Sequence, residues 1–92
     1  MLNIYLLSQN TFRDYDTFDS CIVVAPDEDT ARGIHPGGFR RWDGRRWVDP
    51  RFPHDTERCI NWAPAPKVKV TLVGVATAEM KEGVLCASFN AG

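Results

Sequence analysis

The chain is 92 residues long, 43% hydrophobic, 25% charged and of net charge −1. These values fit one ordinary globular domain over 1–92, exclude a fibrous or disordered chain, and argue against a general nucleic-acid coat, which would be basic throughout. No apolar run approaches the ~20 residues that cross a bilayer, so no membrane contact is expected.

The start, Met1 to Leu7, is short and apolar and reads as a first buried strand rather than a signal peptide, because it lacks a basic leader and a long apolar core. Ser8 to Asp19 is polar and reads as an excursion, pinned to the body by Tyr15 and Phe18. Cys21 to Ala25 is β-branched and apolar on both faces, which predicts a central strand. Pro26 to Gly33 predicts a short helix opened by Pro26 or Asp27, with acids in its first turn and Gly33 as a left-handed C-cap. Phe39 to Pro66, broken by prolines 50, 53, 64 and 66, reads as a long ordered loop with one short element around Glu57 to Trp62. In Lys67 to Val75 the residues Val68, Val70 and Leu72 alternate with Lys67, Lys69 and Thr71, as in a strand with one wet face. Ala76 to Glu82 reads as a turn or a single helical turn closed by Gly83, and the last strand, Val84 to Phe89, places Leu85, Ala87 and Phe89 on one face and Val84, Cys86 and Ser88 on the other. The expected architecture is α+β: a small, mainly antiparallel four-stranded sheet with one short helix and a long Arg/Trp-rich loop.

Catalytic and metal signatures are weak. Gly37-Gly38 lacks the further glycine and the Lys-Ser/Thr pair of a phosphate loop, so a turn is expected there. His35, His54, Cys21, Cys59 and Cys86 can all ligate zinc, yet none stand two to four residues apart as structural ligands do. Cys59, beside Arg58, is the one candidate nucleophile, and packing under Trp62 explains it better. Asp14, Asp16 and Asp19 lack the glycine and closing glutamate of a calcium loop and read as a solvated acidic turn. The expectation is a protein without catalytic residues, metal or cofactor. Three cysteines without close spacing suit reduced thiols and a cytoplasmic location.

Charge is segregated along the chain. Every acid before position 43 lies between Asp14 and Asp29, whereas Arg32 to Arg51 holds six arginines against Asp43 and Asp49, a local +4 threaded with Trp42, Trp47, Phe39 and Phe52. Three readings compete. The tryptophans form a satellite core while the arginines neutralise the acidic half, through exposed pairs worth about 0–1 kcal/mol each. Alternatively, Arg and Trp anchor a protein partner, as they do at binding hot spots. In the third, arginines hold phosphates while rings stack on bases, a direct nucleic-acid contact that the overall acidic balance disfavours.

Tyr5-Leu6-Leu7-Ser8-Gln9, Tyr15-Asp16-Thr17-Phe18-Asp19-Ser20, Ile34-His35-Pro36 and the closing Gly83-Val84-Leu85-Cys86-Ala87-Ser88-Phe89-Asn90-Ala91-Gly92 together resemble a group of small phage and prophage proteins of unassigned function. The resemblance covers the two ends and leaves out the middle, from about Gly37 to Pro66. It implies a viral or mobile-element origin and supplies no activity. Small phage proteins of this kind are often inhibitors of host machinery, anti-CRISPR proteins among them, and that class analogy sets the leading expectation. The chain is expected to bind a host protein or ribonucleoprotein defence complex through Arg40, Arg41, Trp42, Arg45, Arg46 and Trp47, with Asp14, Asp16 and Asp19 as a second surface able to mimic phosphates. The alternatives are a module for a small anionic ligand or nucleotide, clamped by arginines under a stacked ring, and a phage assembly protein.

Overall fold

A computed structural model describes residues 1–12, 16–52, 54 and 61–90 of the chain. Four antiparallel strands form the main sheet: β1 (Asn3–Ser8), β2 (Thr17–Ala25), β5 (Lys69–Val75) and β6 (Gly83–Asn90), in the order β5-β1-β2-β6. Between β2 and β5 the chain makes the helix α1 (Glu28–Arg32), a hairpin of β3 (Arg41–Trp42) and β4 (Trp47–Val48), and a 3-10 turn over Ala65–Lys67. The α+β expectation, with one four-stranded sheet and one short helix, holds.

Alternation along β1 and β2 builds the core. Tyr5 lies opposite Val23 and Leu7 opposite Cys21, and all four side chains are buried on one face. Ile34, Trp47, Trp62, Ala63, Ala65 and Val68 close over them, joined by Ala31 from α1. Fully burying a side chain of the size of Leu7 or Val23 contributes about 1.5–3 kcal/mol, which makes this face the main source of stability. Ile4, Leu6 and Ile22 turn to the opposite face and are half-buried.

Helix α1 starts where the sequence places it. The Asp27 carboxylate accepts from the Thr30 N–H at 2.7 Å, and Arg32 in the last turn pairs with Glu28 at 3.2 Å and Asp29 at 3.4 Å. Gly33 departs from expectation: at φ −83° it is not left-handed. The chain leaves the helix directly into Ile34, which bridges Arg41, while the Gly33 carbonyl accepts from the Trp42 N–H at 3.1 Å.

Other boundaries move as well. Strand β2 begins at Thr17, so the last three residues of the polar excursion, Thr17 to Asp19, are strand; Asp16, at φ 62°, makes the left-handed step that enters it. Strand β5 begins at Lys69 because the 3-10 turn takes up Lys67, and Leu72 on this outer strand is 63% exposed. In β6 the even alternation fails. Register shifts between Cys86 and Val84 leave Leu85 as an extra residue, so Val84, Ala87 and Phe89 share the side of Val23, Cys21 and Phe18. Of the short element expected around Glu57 to Trp62, residues 57–60 lie outside the described residues, as do Asp14, Tyr15 and Cys59.

Candidate functional site

The segment that reads as a featureless loop contains a hairpin. Its sequence is a doubled triplet, Arg40-Arg41-Trp42 and Arg45-Arg46-Trp47, folded back at Asp43-Gly44. Trp42 lies opposite Trp47 and Arg41 opposite Val48, which puts both indoles on one side and Arg41 on the other. Gly44 supplies the turn with φ 105°, a conformation costly for other residues. Asp43 locks the tip: its Oδ1 accepts from the N–H groups of Arg45 and Arg46, both at 2.8 Å, and its N–H donates to the Arg46 carbonyl at 3.0 Å. These backbone bonds hold the Asp43 carboxyl below the usual carboxylate range. Arg41 and Arg45 are exposed, and Arg40 and Arg46 are half-buried. Four arginines therefore flank one acid whose oxygen is already engaged by the chain itself.

Beneath the hairpin the tryptophans are structural. Trp47 is only 5% exposed, and its indole N–H donates to the Ala63 carbonyl at 3.0 Å; in this conformation its ring offers a partner no surface. Trp42 is half-buried, meets Trp47 edge-on at 5.3 Å between ring centres, and packs against the core. Trp62 is fully buried, and its indole N–H finds no acceptor among the described residues. The satellite-core reading thus accounts for Trp47 and Trp62, and Trp42 in part. Of its other half, neutralisation by the acidic N-terminal region, the observed pairs show a part: Arg32 pairs with Glu28 and Asp29, whereas Arg51 pairs with Asp49 two residues back.

His35 ties the layer together. The Gly37 N–H donates to its Nδ1 at 2.9 Å, so Nε2 carries the proton and donates to Asn61 Oδ1 at 3.0 Å. The ring also meets Trp47 and Phe18 edge-on, at 5.4 and 5.8 Å. Asn61 in turn accepts the Phe18 N–H on its carbonyl at 2.9 Å, which fastens this segment to β2. Burial, aided by the nearby Arg40 charge against the opposing Asn61 bond, pushes the imidazole down to about 4. Both ring nitrogens are engaged by the protein, which takes His35 out of the zinc-competent set.

Next to His35 lies a cleft of about 230 Å³, lined by Gly37, Phe39, Arg40, Asp49 and Arg51. Arg51 grips Asp49 with two nitrogens, Nε at 3.1 Å from Oδ1 and Nη2 at 2.7 Å from Oδ2. Its guanidinium carbon stands 4.1 Å from the centre of the Phe39 ring and 5.5 Å from that of Phe52, two rings that are each 59% exposed. Arg40 is therefore the lining cation that does not share its charge with Asp49 through such a fork.

The acidic surface is less organised. Asp16 and Asp19 are exposed at the start of β2, and Asp14 lies outside the described residues. Cys21 is buried, and desolvation with the adjacent Cys86 raises its thiol to about 12, so it is held as the neutral thiol. No group of three or more metal-ligating side chains gathers among the described residues.

Sequence reasoning singles out the arginine segment but misses the hairpin and the His35–Asn61 clamp. The signal for the first is an Asp-Gly pair between two Arg-Arg-Trp triplets. For the second it is His35 set between the apolar Ile34 and Pro36, a place where a core histidine is ordinary. No helix among the described residues is long and apolar enough to cross a membrane. Compared with protein-family models, curated proteins and solved structures, the chain matches none, so what it does must be argued from its own residues.

Proposed function

We propose that the chain is a non-enzymatic binding domain whose arginine hairpin docks on an acidic or phosphate-bearing surface of a host protein or ribonucleoprotein complex, in the manner of a phage-encoded inhibitor of host defence. The observation that carries this reading is the hairpin tip. Arg41 and Arg45 stand exposed, Arg40 and Arg46 half-exposed, and the one acid among them has turned its oxygen onto backbone N–H groups. Arginines held on a fixed backbone suit bidentate recognition of carboxylates and phosphates. Trp47 supports the hairpin from below, so the proposed contacts narrow to Arg40, Arg41, Arg45, Arg46 and the open edge of Trp42. Asp16 and Asp19 form the second candidate surface.

The test is affinity purification of the tagged protein from bacterial cells, with and without nuclease, for the wild type and for the double variant Arg45→Glu/Arg46→Glu. Surface changes of this kind hold folding stability within about 0.5 kcal/mol, so loss of capture is readable as loss of contact. A host complex that survives nuclease with the wild type and disappears with the variant supports the proposal. Equal capture by both, or recovery of the wild-type protein alone, sinks it.

A second reading has its own observation, the cleft beside His35. With Arg40 at its wall and Phe39 at its rim, it suits one small anionic group carrying a ring, as a nucleotide does. Thermal shifts against nucleotides separate the two, since a ligand at a hundred times its dissociation constant stabilises by about 2.7 kcal/mol.

A further inference from the structure

The two outer strands of the sheet differ in how they are protected. Strand β5 carries Lys69, with Lys67 just before it, and charged side chains of this kind discourage a second strand from adding to an edge. Strand β6 carries no charge within it, although Lys81 and Glu82 immediately precede it and β5 itself exposes Leu72, Val73 and Val75. The eight residues of β6, Gly-Val-Leu-Cys-Ala-Ser-Phe-Asn, include no proline, and no strand pairs with its far side among the described residues. Leu85 is 48% exposed and Phe89 is 45% exposed, with Cys86, Ala87 and Ser88 between them exposed as well. Phe89 already packs edge-on against Phe18 at 4.7 Å, and the rest of its surface is exposed.

From this we infer that β6 is a dimerisation edge, taken by the β6 strand of a second copy of the chain, antiparallel, about a twofold axis. Charge decides the occupant. In a twofold interface a patch faces its own copy, so a patch of one sign repels itself while an uncharged strand does not. The arginine hairpin fails that condition, and β6 meets it along its whole length. Small residues, Cys86, Ala87 and Ser88, occupy the middle of the strand, where two backbones must approach to about 4.8 Å. Eight residues at ~3.3 Å each make an edge about 26 Å long, and contact over the full 20 Å of the molecule's shortest dimension would bury about 500 Å² per copy at most, which reaches the roughly 1,000 Å² in total that a specific dimer needs. The joined sheet would run β5-β1-β2-β6 and back through the second copy. Unpaired backbone groups of β6 and the exposed parts of Leu85 and Phe89 would be covered together. This inference is independent of the arginine reading, because it uses another part of the surface and no residue of the hairpin.

The experiment is sedimentation of the full chain over a concentration series, for the wild type and for Leu85→Lys/Ser88→Lys, which gives β6 the charges that β5 already has. The expected result is a wild-type mass approaching twice the 10.4 kDa of one chain, and a variant that stays at one chain with unchanged circular dichroism. A second measurement does not depend on the variant folding. Cys86 sits at mid-strand, so a short bismaleimide joins two wild-type chains and fails with Cys86→Ser. A wild type that remains monomeric and is not cross-linked, or a dimer untouched by Leu85→Lys/Ser88→Lys, overturns the inference. The Arg45→Glu/Arg46→Glu protein sediments like the wild type if the two surfaces are separate, and its loss of the dimer would count against the β6 edge.

Discussion

Tyr5, Leu7, Cys21 and Val23 hold their places through strand register, each supported by a ladder of neighbours, whereas Trp47, His35 and Asn61 in the covering layer hold theirs through specific side-chain hydrogen bonds and ring contacts. The sheet shares its load, so the loss of one contact leaves the others in place. The layer from Ile34 to Val68 has little regular structure: two strands of two residues each and one 3-10 turn among the described residues. Its shape depends on a few buried polar groups, each with a specific partner. The layer also carries the candidate binding surface, so the most specific part of the molecule rests on its least redundant part.

Three changes probe that difference. The largest effect is expected from Trp47→Ala, which removes a buried ring, its bond to Ala63 and the floor under the hairpin; about 3–5 kcal/mol should be lost in denaturant unfolding. A loss under 1 kcal/mol would mean that the layer is no less redundant than the sheet. Acid comes next. His35 titrates near 6.5 when unfolded and at about 4 when folded, so across that window the unfolded chain binds a proton that the folded one does not. Stability should therefore fall as pH falls from 6.5 towards 4, by up to about 3 kcal/mol, and level off below. Unfolding curves through that range should lose this slope in His35→Gln. The added proton would sit on Nδ1, where the Gly37 N–H now donates, so amide exchange at Gly37 should rise before that of the sheet. The smallest effect is expected from Asp43→Ala. The exposed tip frays, amide exchange at Arg45 and Arg46 quickens several-fold, and β1 and β2 stay protected. Uniform quickening would dissolve the distinction between sheet and layer.

The same division explains what could be read from the chain. Strands β1 and β2 are visible as short apolar runs, β-branched in β2, and β5 is visible through its period of two. Strands β3 and β4 are too short for any period, and their one local signal, Asp43-Gly44, is outweighed by the prolines that follow. The phase of β6 is misread at Leu85, since a bulge depends on the partner strand and leaves no mark in the residues themselves. The arginines are found by charge alone. Trp47 and Trp62 are ambiguous for a physical reason: indoles serve cores and binding surfaces equally well, and only the direction of the backbone decides.

The Asp43 clamp has a further consequence. Because the hairpin is closed by its own backbone and by indoles turned inward, Arg41 and Arg45 can be exchanged for other side chains without rewriting the interior. The tip is then an interchangeable head on a fixed stem, and a change of target would require new letters at a few positions rather than a new fold. Under the proposed function, a partner meeting such a head would find the loop already ordered, so little of the binding free energy would go into arranging it.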